Sequence, residues 1–419
     1  MKRAILCVAL VMWLRCSADA ADLADTLYRT CRESVYQVRI IEVTSGKKAS
    51  VGTAFGVSTN GLLATNYHVV QDTIDSPDLY RLECTGADGK PVPLKIIDID
   101  VVHDLAVVRR DDCTTTHLTL SHSPMDKGTT IYSLGNPLDF GMTIVSGTYN
   151  GLIEKRFHEQ VLFSGSINPG MSGGPAIDRD GQVVGINVST TGQEIGSLVP
   201  VKYLAALLDR ISSAGLDTPV DLHRRIEEQL FADQGQFLAR LMDAEWAHDP
   251  LGPVQVPRIV ADILDWWGNA DTDKEALYGH TAAQCANRDR IWLSSSFDTG
   301  LFKYRCDWYV SKSLNPHRFY SLLAGQFRRT IELNSAGKDD VTGFETRTAF
   351  VRMAGREWLM VFCARNYKRY PRLYDVVVKM ASVGESDRAL LVNLALSGVS
   401  EETGLAIARK FMEEVRWQN

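Results

Sequence analysis

The chain has 419 residues, 45% of them hydrophobic and 23% charged, with 32 glycines and 14 prolines. That balance is close to globular averages and excludes a disordered, collagen-like or coiled-coil protein; the length predicts two or three domains. A formal net charge of −6 gives no basic footprint for nucleic acid, and beyond the N-terminus no second apolar run of about 20 residues is present to span a bilayer.

The N-terminus reads as an export signal. Met1-Lys2-Arg3 is a positive start, Ala4 to Leu14 an uninterrupted apolar stretch, and Ala18-Asp19-Ala20 a small-x-small cleavage site, which is the layout of a secretory signal. The protein is therefore expected to be exported, to a periplasm or the medium. Loss of residues 1–20 removes three cations and one anion, taking the net charge from −6 to −8, and leaves Cys31, Cys84, Cys113, Cys285, Cys306 and Cys363. An even number of cysteines in an exported chain favours disulfides. Pairing within each half gives Cys84–Cys113 and Cys285–Cys306, with Cys31 and Cys363 left as free thiols or as a clasp; free buried thiols throughout are the alternative. No pair has the spacing of a zinc site.

From Val35 to about Val201 short apolar runs alternate with turn residues, as in Val35-Tyr36-Gln37-Val38-Arg39-Ile40, Gly61-Leu62-Leu63-Ala64-Thr65, Leu105-Ala106-Val107-Val108 and Val183-Val184-Gly185-Ile186. Such spacing predicts an all-β sandwich or barrel, with Asp88-Gly89 and Asp180-Gly181 as hairpin turns. After Pro200, Val201, Leu204, Ala205, Leu208 and Ile211 share one helical face, and the helix ends before Gly215. Residues 220–247 are charged and helical in pattern, and His248 to Pro253 breaks that pattern. Further on, strands are expected at Leu301–Val310, Phe344–Met353, Trp358–Cys363 and Leu373–Met380, with helices at Phe319–Leu333 and Glu401–Val415. The expected domains are a β-barrel unit over 21–212, a helical connector over 213–257 and an α+β accessory domain over 258–419.

The strongest chemical signal is Asn168-Pro169-Gly170-Met171-Ser172-Gly173-Gly174-Pro175. Gly170 allows a turn that aims its own N–H and that of Ser172 at one point, an oxyanion hole. Gly173 and Gly174 leave the serine open to a carbonyl substrate. A serine hydroxyl needs a base, and Thr65-Asn66-Tyr67-His68 puts one of only nine histidines just after an apolar run. Asp104, at the mouth of Leu105-Ala106-Val107-Val108, supplies a carboxylate to hold one imidazole nitrogen and leave the other facing Ser172.

Residues from about Val51 to Leu208 resemble the trypsin-like serine peptidases, particularly their bacterial HtrA-like branch. The matching strings are Gly52-Thr53-Ala54-Phe55-Gly56-Val57, Thr65 to Val70, Asp104 to Val108, Leu134-Gly135-Asn136-Pro137, Ser146-Gly147, Ile167 to Pro175 and Gly185-Ile186-Asn187. The resemblance implies two six-stranded β-barrels with His68 as general base, Asp104 as its orienter and Ser172 as nucleophile in the cleft between them. It also implies an oxyanion hole from the Gly170 and Ser172 N–H groups. By the same likeness, Ser166 lies at the floor of the specificity pocket, and Val188, Ser189 and Thr190 form the edge that pairs with substrate backbone. A neutral floor favours a small or medium apolar side chain. Two features depart from the pattern. Met171 stands where the family usually has Asp or Asn, which excludes activation by a new terminal amine pairing at that position. After residue 215 the loop of a PDZ domain is not found.

The reading that follows is an exported serine endopeptidase acting on polypeptides, with no cofactor, no metal, no nucleic-acid partner and no stable membrane span, in envelope protein quality control or processing. The alternative is a peptidase-fold protein that binds peptides with little or no turnover. Rival chemistry finds no support. His158-Glu159 lacks a second zinc ligand four residues after His158, where Leu162 stands, and no Gly-rich loop ends in Gly-Lys-Ser/Thr. The aromatics of the C-terminal half (Trp266, Trp267, Trp292, Trp308) read as core.

Overall fold

The computed structural model describes residues 23–419 except 87, 113–114, 138–139, 191–194, 272, 274, 330–332, 354 and 418–419. The expected signal at residues 1–20 and Cys113 lie outside the described residues. The chain divides into two compact units after Leu222, with Glu154–His158 counted in the second.

Two closed antiparallel barrels make up the first unit. Strands β1 (Val35–Glu42), β2 (Lys48–Gly56), β3 (Leu62–Thr65), β4 (Tyr80–Thr85), β5 (Pro91–Asp100) and β6 (Leu105–Arg110) close in the order β1-β2-β3-β6-β5-β4. Strands β7 (Thr130–Gly135), β8 (Thr143–Leu152), β9 (Val161–Ser164), β10 (Pro175–Ile177), β11 (Val183–Thr190) and β12 (Gly196–Pro200) close in the order β10-β11-β12-β9-β8-β7. This is the double six-stranded barrel that the resemblance implies. Both Asp-Gly signals form hairpin turns, with Gly89 at φ 69° and Gly181 at φ 77°, a region glycine enters without steric cost. The apolar runs of β3 and of Leu105–Val108 in β6 are wholly buried, since each strand faces a barrel interior on one side and further packing on the other. One apolar cluster joins Phe55, Ala64, Leu105 and Val107 of the first barrel to Leu134, Ile177, Ile186 and Val199 of the second. A short helix α1 (Tyr67–Asp75) follows β3, and α2 (Val201–Ala214) buries Leu204, Leu207 and Ile211 before Gly215, at φ 88°, ends it.

The second unit has α3 (Leu222–Asp243), β13 (Glu245–Leu251), β14 (Val254–Val260), β15 (Leu264–Ala270), β16 (Tyr278–Asn287), β17 (Ile291–Ser294), β18 (Phe297–Thr299), β19 (Phe302–Ser311), α4 (Pro316–Arg328), β20 (Glu345–Met353), β21 (Arg356–Asn366), β22 (Tyr374–Ser382), β23 (Arg388–Val399), α5 (Glu401–Glu413) and β24 (Arg416–Trp417). Seven strands form one antiparallel sheet in the order β15-β16-β19-β23-β22-β21-β20, and β13-β14-β24 form a smaller one. Its core joins Phe237 and Leu241 of α3, Val254 and Val256 of β14, Tyr304 of β19, Leu390 and Leu394 of β23, and Phe411 of α5. The architecture is α+β, as the pattern predicts. Residues 213–257 do not stand apart as a connector: α3 and the β13–β14 hairpin are built into this core. Pro250 is accommodated because β13 is an edge strand, where a missing N–H costs no ladder bond. Helix α4 starts earlier than periodicity predicts, because Asn315 caps it by accepting from the Arg318 N–H with Pro316 behind it, a favoured helix start. No helix among the described residues is long and apolar enough to cross a membrane.

The cysteines depart from expectation. Cys31, Cys84, Cys285, Cys306 and Cys363 are all free thiols. Cys285 stands opposite Tyr304 and Cys306 opposite Ala283, so the two thiols are offset along the ladder instead of directly opposed. Both are buried in the core, and desolvation pushes the Cys285 thiol up to about 12. Cys84, whose expected partner Cys113 is outside the described residues, is likewise buried and pushed up to about 12. Such thiols are inert apolar fillers.

Candidate active site

The candidate residues lie in three segments of the first unit: the start of a helix and two loops. His68 is the second residue of α1, directly after β3 and the N-cap residue Asn66; the apolar run suggests a strand end there, and the chain turns into a helix one residue earlier. Asp104 lies in the turn between β5 and β6 with φ 55°, an unusual conformation for a residue with a side chain. Asn66 braces that turn by donating through Nδ2 to the Asp104 carbonyl at 2.8 Å. The carboxylate then engages His68 twice. Oδ1 accepts from the His68 backbone N–H at 2.9 Å and Oδ2 meets Nδ1 at 2.6 Å. The imidazole is half-buried, its side chain 35% exposed. Burial pulls its proton affinity down, but the Asp104 charge and the hydrogen bond to it outweigh burial and raise the His68 pKa above its ordinary value.

Ser172 lies in the loop between β9 and β10. Asn168-Pro169-Gly170-Met171 forms a turn closed by Met171 N–H to Asn168 O at 2.9 Å, with Gly170 at φ 96°, the geometry of a type II turn with proline second and glycine third. Neither the Gly170 N–H nor the Ser172 N–H donates to another protein group among the described residues, so two neighbouring donors remain open beside the serine. The Ser172 hydroxyl donates to the Val188 carbonyl of β11 at 2.9 Å. It makes no hydrogen bond to His68 among the described residues.

Contacts from both barrels fix the serine turn, and these the sequence reading misses. Thr53 of β2 donates its backbone N–H to Ser172 O at 2.8 Å and its hydroxyl to Gly170 O at 2.6 Å. Asn187 of β11 is fully buried, donates Nδ2 to Leu134 O at 3.0 Å and Met171 O at 3.3 Å, and accepts from the Ser133 hydroxyl at 2.8 Å. Both residues stand in the strings that carry the family likeness, so the signal is present without a role attached. Gly173 and Gly174 have a reason beyond leaving the serine open. A Cβ on Gly173 would stand against the Thr53 carbonyl and the Thr65 hydroxyl, and one on Gly174 against the Leu134 carbonyl.

Met171 is fully buried with Ile131, Phe163, Ile167 and Leu198, and its Sδ accepts from the Asn168 N–H at 3.5 Å. Gly135 leaves it room, since a Cβ there would lie 2.9 Å from the Met171 Cβ. Apolar packing thus seats the turn where the family pattern has a polar residue. Met171→Ala is expected to cost about 2–5 kcal/mol, as for other buried large-to-small changes, read as a lower denaturation midpoint, while Met171→Leu is expected to lose less than about 1.5 kcal/mol.

Of the expected pocket residues, Ser166 is half-buried in the same loop, six positions before Ser172. Val188 lies in β11 and packs on the inter-barrel core. Ser189 and Thr190 also stand in β11, with side chains outside the described residues. No cluster of three or more His, Cys, Asp or Glu side chains placed to hold a metal occurs among the described residues. His158 makes its contact with Asp233, Nε2 to Oδ1 at 2.7 Å.

The trypsin-like peptidase domain profile matches residues 52–186. A probable periplasmic serine endoprotease, DegP-like, from Chlamydia pneumoniae is 35% identical over 185 residues, which is 42% of this chain and 37% of that protein. The mitochondrial serine protease HTRA2 of Drosophila grimshawi is 28% identical over 211 residues, covering 46% of this chain and 48% of that one. The solved serine endoprotease from Yersinia pestis aligns with 20% identity over 45% of this chain and 66% of that chain, at a TM-score of 0.40. The chain spans between 34% and 48% of the length of the curated relatives it matches. On the profile match and these relatives, residues 52–186 are a trypsin-like serine peptidase domain similar to the HtrA type.

Proposed function

We propose that this chain is an exported serine endopeptidase that hydrolyses polypeptides through Ser172, His68 and Asp104, in envelope protein quality control or processing. The observation that carries the reading is the doubly hydrogen-bonded His68–Asp104 pair in the same unit as a serine turn with two open N–H donors. In this mechanism Ser172 Oγ attacks the scissile carbonyl as His68 Nε2 takes its proton. The Gly170 and Ser172 N–H groups bind the oxyanion, and His68 returns the proton to the leaving amine. Water activated by His68 then hydrolyses the acyl ester. The Val188–Thr190 edge would pair with substrate backbone, and the neutral Ser166 floor favours a small or medium apolar side chain.

One observation favours the alternative of peptide binding without turnover: the Ser172 hydroxyl is engaged by the Val188 carbonyl. A change between staggered rotamers about one side-chain torsion frees it, so the contact describes a resting hydroxyl in the peptidase reading. Hydrolysis of casein by the full chain tests the choice. Turnover supports the peptidase, and saturable binding with no cleavage supports the alternative.

The pH profile gives a second test. Only neutral His68 accepts a proton, and Asp104 holds its pKa above the ordinary value. Activity is therefore expected to rise with pH through a midpoint above the ~6.5 of an unperturbed histidine. A profile flat down to pH ~4.5, two units below that unperturbed value, argues against histidine as the base.

A further inference from the structure

Asp104 is one of two residues other than glycine that have a positive φ among the described residues, at 55°. A residue with a side chain keeps such a conformation where its surroundings over-determine it. The turn that carries it is short. Asp100 of β5 pairs with Leu105 of β6, so Val101, Val102, His103 and Asp104 reverse the chain between them. The start of this turn repeats the contact pattern of the His68–Asp104 pair. Asp100 Oδ1 accepts from the His103 backbone N–H at 3.1 Å, and Oδ2 meets His103 Nδ1 at 2.8 Å. Asp104 makes the same two contacts with His68. A carboxylate accepts and does not donate, so His103 Nδ1 donates in its contact.

Helix α2, which follows the last strand of the second barrel, grips the same stretch of chain. The Tyr203 ring stacks on the His103 imidazole, with centroids 3.6 Å apart and planes 15° from parallel. Two turns further along the helix, Arg210 donates Nε to Asp98 Oδ2 at 2.8 Å and Nη2 to the Ile99 carbonyl at 2.6 Å. The end of β5 is thus held on both sides of Asp100. Burial alone would raise the Asp100 pKa, yet the hydrogen bonds from His103 and the charges of His103 and Arg210 hold it below the ordinary value. The His103 and Asp100 side chains are mostly covered, 20% and 15% exposed. Their grip passes directly to Asp104, because the His103 carbonyl carbon is one of the atoms that define the Asp104 φ.

We propose that His103 and Asp100, clamped by Tyr203 of α2, are positioning residues that fix the turn presenting Asp104 to His68. Neither touches the reacting atoms in this account; both act through Asp104. With the His103 side chain removed, the turn relaxes and the Asp104 carboxylate leaves Nδ1. His68 then loses the charge that raises its pKa and the partner that holds its tautomer. The expected effect on turnover rests on the peptidase reading, whereas the setting of Asp104 against His68 is measurable without it.

NMR titration of His68 in the full chain, alongside casein hydrolysis, tests this. His103→Ala is expected to lower the His68 pKa toward that of Asp104→Asn. It is also expected to cut kcat by up to about 10²-fold with KM little changed, the scale of a misplacement of about 1 Å. The sign is diagnostic, because loss of a positive charge at position 103 would by itself raise the His68 pKa. His103→Asn keeps a donor where Nδ1 stood and Tyr203→Phe keeps the stacked ring, so both are expected to keep most of the activity and the His68 pKa. Tyr203→Ala leaves the hydrogen bonds of the turn in place and is expected to move both readouts in the direction of His103→Ala by less, which decides the matter where His103→Ala does not fold. On an Asp104→Asn background, His103→Ala is expected to cost no further turnover, since effects exerted through one residue do not add. A merely structural role lowers the denaturation midpoint and leaves the His68 titration where it was. An unchanged or raised His68 pKa in His103→Ala, or additive losses in the double variant, overturns the inference. Failure of the unmodified chain to hydrolyse casein ends the peptidase reading instead, and the His68 titration still decides this one.

Discussion

Replacing Ser172 with alanine is expected to cut turnover of an unfolded polypeptide by about 10⁶-fold, the scale of losing the nucleophile in a comparable serine protease. The fold should hardly notice. The hydroxyl makes one hydrogen bond, to Val188 O at 2.9 Å, and such a bond contributes about 1 kcal/mol net. The turn around it is held by other groups: Thr53 on the Ser172 and Gly170 carbonyls, Asn187 on the Met171 carbonyl, and Met171 in the core of the second barrel. A denaturation midpoint within a few degrees of the unmodified protein, with hydrolysis at background, is the expected pair of results. Hydrolysis at the unmodified rate would end the assignment of Ser172 as nucleophile.

Asp104→Asn is expected to fold and to lose about 10⁴-fold in turnover, the cost of the corresponding change in a related arrangement. Asp104 serves His68 with two acceptors, Oδ1 for the backbone N–H and Oδ2 for Nδ1. An asparagine has one oxygen and one NH₂ for those two donors. If its oxygen keeps the backbone N–H, the NH₂ faces Nδ1 and forces the proton onto Nε2, the nitrogen that must accept from serine. If its oxygen turns to Nδ1, the His68 N–H is left unpaired. Backbone strain does not confuse the test, because φ 55° at position 104 is a conformation asparagine tolerates. The charge that raises the His68 pKa is also lost, so residual activity should show its midpoint at lower pH than the unmodified enzyme. An unchanged rate and an unchanged midpoint would show that Asp104 does not orient His68.

How much of this is legible in the sequence depends on the range of the interaction involved. Local signals hold well. The Asp-Gly hairpins at 88–89 and 180–181, the apolar strand after Asp104, the helix from Val201 and the strands between Phe302 and Met380 all follow from turn chemistry and periodicity acting over a few residues. The turn before Ser172 is equally local, since proline followed by glycine nearly dictates it. Thr53 and Asn187 escape because their work is done on backbone carbonyls 117 and 16 positions away in the chain, and nothing in the side-chain pattern records such contacts. Gly173 reads as an opening for substrate, whereas its neighbours Thr53 and Thr65 require it for close packing of the barrels. The cysteine expectation rests on parity, and parity carries no geometry: the two-residue offset of Cys285 and Cys306 shows only once β16 and β19 are in register. Residues 213–257 look like a connector because α3 is rich in charge. Yet Phe237, Leu238 and Leu241 are spaced to bury one stripe, enough for a helix whose other faces are solvated.

The most direct measurement is labelling of the full chain by a fluorophosphonate probe, followed by peptide mapping of the modified residue. Such a reagent reacts with a serine only when a base activates it and an oxyanion site receives the developing charge. The account predicts a single label on Ser172, lost in Ser172→Ala and in His68→Ala and strongly slowed in Asp104→Asn. No labelling of the folded protein above pH ~7, or a label on another serine, would contradict it.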